Sequence, residues 1–232
     1  MQRFRPTAFI AAIAMMAILS APALGAPQIT VEFAKRIEKR LDAIDRIERI
    51  REERFRRTLV DEPSPFQTIQ GPLNQEFRDV RWAGEMLVPD LESFGMRPLI
   101  TAMVAHNLAR AVPDFDGSVR LEIKRLKVRD HSVAYLRSEN SYVTGEIEVR
   151  DASGSLIFSD KLTANFVLDP SVDSNYRGPK LAFAETDEDD RIGPTLAYFV
   201  ERALERVWPD KKDEIVGPTI IRLTGPNETI LR

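Results

Sequence analysis

His106 and His131 are the two side chains best suited to ligate a metal or move a proton near neutral pH, and no others of their type occur. Neither has a second histidine or a carboxylate at ligand spacing, so no zinc or iron site is expected. His106 falls beside the apolar stripe of a helix and reads as a satisfied boundary residue. The chain has no cysteine, so thiol nucleophiles, thiolate ligands and disulfides are excluded together. It carries no Gly-x-Ser-x-Gly elbow, P-loop or dinucleotide fingerprint. The run Asp187-Glu188-Asp189-Asp190 offers oxygen ligands. A calcium loop needs ligands at alternate positions and a glycine at the sixth, and Arg191 and Ile192 break that pattern. The run reads as a solvated loop. No catalytic residue, cofactor site or metal site is therefore expected. One carboxylate is out of place: Asp160 falls on the apolar face of a strand, where an unpaired charge would cost several kcal/mol. It marks the open end of a sheet, a twisted or solvated strand position, a cavity or basic partner, or a polar slot for a ligand group.

The densest charge lies in Val31 to Arg57, with ten basic and seven acidic residues. From Thr30 to Arg57 there is no glycine or proline, and acid precedes base by four residues at Glu32/Arg36, Asp42/Arg46, Asp45/Arg49, Glu52/Arg56 and Glu53/Arg57. That orientation stabilises a helix. Thr30 is a suitable N-cap, and the arginines at 54, 56 and 57 suit the negative end of the helix dipole. Ile37, Leu41 and Ile44 keep coiled-coil spacing, but the next steps, to Ile47 and Ile50, drift off the seam. Three fates are open to this charged helix: docking on its own domain, pairing with a partner or a second copy, or lying on anionic lipid. A contact would use Ile37, Leu41, Ile44, Arg46 and Arg49. The break at Pro63-Ser64-Pro65 suggests an arm that adds little to the fold.

The first residues read as an export signal. Arg3 and Arg5 precede an apolar run from Phe9 to Leu19, followed by Ser20-Ala21-Pro22-Ala23-Leu24-Gly25-Ala26. A run of about 11 residues is short of the roughly 20 that a membrane span needs. Cleavage is expected after Ala23 or Gly25, giving a periplasmic protein; the alternative is an inner-membrane anchor. The net charge of −3 at pH 7 does not suggest a nucleic-acid partner.

The expected organisation is a signal peptide over 1–25, an arm and linker over 26–62, a domain over 63–224 and a tail over 225–232. Glu76 to Trp82 suggests a strand. Pro98 opens a helix with apolar positions Ile100, Met103, Val104, Leu108, Ala111 and Val112, which Pro113 stops. Val119, Leu121 and Ile123 alternate, and Leu126 and Val128 resume out of phase, which predicts a bulge near Lys124-Arg125. Tyr142 to Arg150 and Ser155 to Phe166 flank Asp151-Ala152-Ser153-Gly154, a hairpin loop. The register expected from the apolar face pairs Val149 with Leu156, Ile147 with Phe158, Gly145 with Asp160 and Val143 with Leu162. Gly193-Pro194 opens a second helix with a stripe of Leu196, Phe199, Val200, Ala203, Leu204, Val207 and Trp208. Thr219 to Leu223 suggests an edge strand.

This order predicts an α+β two-layer sandwich: a mixed, mostly antiparallel sheet, two helices on one face, and a long N-terminal charged helix. The hairpin beginning Tyr142-Val-Thr-Gly-Glu-Ile-Glu-Val-Arg-Asp, with the closing helix that ends at Trp208-Pro209, resembles small bacterial envelope accessory proteins. Among these are lipopolysaccharide-assembly and transport-auxiliary lipoproteins, which carry an acylated cysteine that this chain lacks. Export, a compact α+β domain and a charged helical arm with an imperfect apolar stripe together suggest a non-catalytic periplasmic accessory protein acting by protein–protein contact in envelope assembly or transport. Its partner would be an envelope protein or a second copy, with peripheral membrane contact as a further option. The alternative is a small-ligand or lipid carrier binding between helices and sheet.

Overall fold

The computed structural model describes residues 26–61, 82–128, 140–166, 181–185 and 192–222. The segment expected to direct export, the strand expected from Glu76, His131 and the acidic run at 187–190 lie outside the described residues, except that Trp82 forms an isolated parallel bridge with Ala182. The fold is α+β. Strands β1 (Gln28–Phe33), β2 (Ser118–Lys127), β3 (Ser141–Arg150) and β4 (Leu156–Phe166) form one sheet in that order, with β1 parallel to β2 and the other pairs antiparallel. Helices α1 (Lys35–Glu38) and α2 (Leu41–Asp61) follow β1; α3 (Ala83–Leu87) and α4 (Met96–Ala111) precede β2. Strands β5 (Leu181–Glu185) and β6 (Pro218–Arg222) make a separate parallel pair, and the chain between them forms α5 (Gly193–Val207).

The period-two pattern of the strands determines the layers. Val31, Phe33, Val119, Leu121, Ile123, Val143, Ile147, Val149, Leu162 and Ala164 are buried on one face, which α4 covers at the β1 side and α5 at the β3 and β4 side. Met103, Leu121, Ile147, Leu196 and Phe199 are wholly removed from solvent between helices and sheet. The opposite face carries charge. Glu146 receives Lys124 at 2.6 Å and Lys161 at 3.0 Å, and Arg120 reaches Glu32 at 2.5 Å. Those partners hold the Glu146 and Glu32 carboxyls below the usual carboxylate range. Asn107, buried in α4, bonds Val216 in both directions, accepting its N–H at 2.6 Å and donating to its carbonyl at 3.2 Å. This clamps the approach to β6.

Several expectations are met. The register of β2 slips between Ile123 and Arg125, as the broken alternation requires. Pro194 opens α5, and α4 ends before Pro113. In the hairpin loop Asp151 accepts the N–H groups of Ser153 and Ser155, each at 2.9 Å, and Gly154 takes the positive φ of 83°.

Two expectations are corrected. The helix expected from Thr30 begins later: 28–33 is a strand and the helical path breaks at Lys39-Arg40. Alternation of Ile29, Val31 and Phe33 over the sheet's apolar face outweighs helix propensity here, because β1 gains both a hydrogen-bonded ladder and burial. The hairpin register is offset by two residues, with Val149 facing Phe158, Ile147 facing Asp160 and Gly145 facing Leu162. An irregularity beyond Val149 lets Arg150 face Leu156 and absorbs one residue on β4. A shift of two keeps every side chain on its face, so the apolar pattern could not distinguish the registers. Leu156 and Ile157, 54% and 55% exposed, lie at this irregular end.

A Cβ on Gly145 would stand 2.5 Å from the Glu122 carbonyl oxygen and 2.6 Å from the Phe199 ring. Gly145→Val should therefore lower stability by about 1–3 kcal/mol through overpacking. Gly154→Ala should cost about 1 kcal/mol through its backbone conformation alone. Urea unfolding of both variants checks the order, and a Gly145→Val protein as stable as wild type would contradict this packing.

Candidate functional site

The charged helix α2 has two faces with different work to do. Its inner face is set by Leu41, Asp45, Glu48, Glu52 and Phe55, which recur every three or four residues and so share one side. Leu41 and Phe55 are buried, and Phe55 meets Trp82 edge-on at 5.1 Å. The three acids between them lie beside the starts of three other helices. Asp45 Oδ1 accepts the N–H of Met96, the first residue of α4, at 2.9 Å. Glu48 accepts the N–H of Ile192, just before α5, at 3.2 Å, while Arg51 holds its other oxygen at 2.9 Å. The Glu52 carboxylate occupies the place a Cβ on Gly84 would take, in the first turn of α3. None of these three helices has a side-chain cap from its own N-cap residue; α2 supplies a carboxylate acceptor at the starts of α4 and α5, and sets the Glu52 carboxylate against the first turn of α3.

Arginines serve the other polarity. Arg56 donates to the carbonyls of Val88 at 2.8 Å and Pro89 at 2.7 Å, where α3 ends, and to Glu52 at 2.9 Å. Arg49 donates to the Phe94 carbonyl at 3.4 Å. Beyond α2, Arg97 links α1 and β1 to α4. It reaches Glu38 at 2.9 Å, donates to the Val31 carbonyl at 3.1 Å, and stacks over Phe33 at 5.3 Å. Of the expected helical ion pairs, Glu52–Arg56 and Glu53–Arg57 form, at 2.9 and 2.6 Å. Glu32 and Asp45 instead meet Arg120 and the Met96 N–H.

The five residues read from the sequence as an interaction seam are therefore divided. Leu41 is in the core, Ile37 and Ile44 pack against it, and Arg49 is engaged with Phe94. Arg46 alone of the five faces solvent on α2. The outward apolar positions are Ile47 and Ile50, 51% and 52% exposed, with exposed Ala43, Arg46, Arg54 and Arg57 around them. The sequence held the signal for this. Steps of three from Ile44 to Ile47 to Ile50 turn the stripe back by about 60° each, away from the docked side.

Asp160 lies at the rim of the apolar face, and Arg206 of α5 bonds to its Oδ2. This pairing holds the Asp160 carboxyl below its usual range. Asp160 has a basic partner and is also partly solvated, on the edge strand of the sheet. His106 Nε2 has no hydrogen-bond partner among the described residues, and burial pushes this imidazole down toward its neutral form. It is a half-buried boundary residue, though not the satisfied one expected. Among the described residues no three His, Asp or Glu side chains converge as a metal site would require. No family model, curated protein or solved structure matches the chain.

Two predictions follow from the inner face. Burial raises the Asp45 carboxyl above its usual value, against the pull of the Met96 N–H and of Arg49. Asp45→Asn keeps an acceptor without the buried charge, so its stability relative to wild type should be best near pH 7. That advantage should shrink as pH falls through the raised value, where wild type becomes neutral too. Asp45→Ala, which removes the cap, should cost about 1 kcal/mol. Denaturant melts of both variants from pH 4 to 7.5 measure the two effects. Deleting 28–62 takes away β1 as well as the caps, so the remainder should lose cooperative unfolding. A sharp thermal transition in the truncated protein would show that α2 is dispensable.

Proposed function

We propose that this protein is a non-catalytic accessory protein of the bacterial cell envelope, exported to the periplasm, that works by protein–protein contact through the outer face of α2. The observation that carries the reading is the exposure of Ile47 and Ile50 on a helix whose opposite side is fully committed to the fold. Scattered single apolar residues on a surface need no explanation. Two adjacent isoleucines one turn apart, framed by Arg46, Arg54 and the Glu53–Arg57 pair, form a small anchor with a net cationic rim. The fitting occupant is an apolar groove with acidic edges on an envelope protein, since opposite charge at the rim speeds and orients encounter.

The carrier reading draws less support, because a ligand between helices and sheet would have to displace fully buried side chains such as Phe199 and Met103. Among the described residues no helix is long and apolar enough to cross a membrane. Export rests on the basic, apolar and small-residue order of the first 25 positions.

A photo-crosslinking residue placed at Ile47 or Ile50 in living cells should join one envelope protein, and the same residue at Ser159 should not. With that partner purified, Ile47→Glu with Ile50→Glu should weaken binding at least tenfold while leaving the melting temperature within about 1–2 °C, as surface substitutions usually do. Equal binding by the double variant would remove this face from the function. Cosedimentation with anionic vesicles, lost in the same variant, would assign the face to lipid instead.

A further inference from the structure

β4 is an eleven-residue strand at the edge of the sheet, and among the described residues it pairs only with β3. That is about twice the usual strand length, and a long free edge invites another strand. On the solvent face Ile157, Ser159, Lys161, Thr163 and Asn165 are all exposed, so among the described residues no side chain covers the edge from that face. One device stands in its middle. Asp160 Oδ1 accepts the N–H of Lys161 at 2.7 Å, and Arg206, bonded to Asp160 Oδ2, reaches the carbonyl of Lys161 at 3.5 Å. In a strand the N–H and C=O of one residue point to the same side. Both polar groups that Lys161 would offer to a neighbouring strand are thus taken by one ion pair, which α5 holds from above.

We propose that Asp160 and Arg206 form an edge lock, and that the strand it excludes is β4 of a second copy. The edge can pair with itself in registers that oppose no like charges, and the one centred on Thr163 is an example. Antiparallel pairing centred on Asp160 or Lys161 would oppose like charges, which destabilises a ladder. Centred on Thr163, it sets Thr163 opposite Thr163, Lys161 opposite Asn165, Leu162 opposite Ala164 and Asp160 opposite Phe166, with no like charges facing. That register needs the Lys161 N–H and C=O, the two groups that the lock occupies. The closed lock keeps the protein from joining sheet to sheet, and opening it exposes a ready dimerisation edge. This is independent of the face on α2.

The test compares self-association of the mature chain by sedimentation velocity across a concentration series. Asp160→Ala and Arg206→Ala open the lock from the strand and from the helix, so the failure of either variant to fold leaves the other. Each should associate at least tenfold more tightly than wild type while keeping a native circular dichroism spectrum. Adding Thr163→Pro to either removes the central N–H groups of the new ladder at an edge position where proline is tolerated. This should restore wild-type behaviour. The lock is overturned if both single variants associate no more than wild type, if both unfold, or if the added proline leaves the dimer intact.

Discussion

The fold hangs on a cross-element capping arrangement: one helix supplies acceptors to the starts of two others and packs a carboxylate against the start of a third. Asp45, Glu48 and Glu52 stand on consecutive turns of α2, at the N-terminal ends of α4, α5 and α3. A helix start leaves N–H groups unsatisfied, and burying them without acceptors costs about 1–3 kcal/mol each. Those starts are buried here: Met96 is 1% and Ile192 8% exposed. The helix that looked most like a detached, solvated rod is the element that permits the others to begin inside the protein. Glycines at 84 and 95 belong to the same arrangement, since a Cβ at either would run into the Glu52 or Asp45 carboxylate.

This explains which parts of the structure could be read from the chain and which could not. α4, α5, the hairpin and the slip in β2 follow from local signals: periodicity, proline position, turn chemistry and a break in alternation. The fate of 28–62 does not. A charge-rich helix with acid–base pairs four apart has the same sequence whether its acids meet neighbouring arginines or distant helix ends. Glu32 and Asp45 each have an arginine four residues on, yet their bonds run to Arg120 and to the backbone of Met96. The hairpin register was ambiguous for a different reason, since a two-residue offset preserves the pattern of faces. Asp160 was visible as an anomaly, but its partner Arg206 comes from another element and could not be named from strand periodicity.

The candidate contact was half legible. Arg46 was selected and does face solvent, but Ile37, Leu41 and Ile44 obey the cleaner spacing because they are the docked side. Ile47 and Ile50 were set apart by the very drift that made them look imperfect. In a helix that is both structural and exposed, regular spacing marks the face the protein uses itself, and departures from it mark what is left for others.

The pairing of β1 with β2 also orders events in time. Gln28 lies beside Ser118 and Phe33 beside Ile123, so the first strand to be synthesised has no ladder partner until α2, α3 and α4 have all been made. A parallel strand cannot be placed by a tight turn, and closing so long a loop is slow compared with forming a hairpin. The β3–β4 ladder closes over a short loop, whereas the β1–β2 ladder closes over some eighty-five residues. The four-stranded sheet therefore cannot be completed until residues 118–123 exist, however early β1 itself is made.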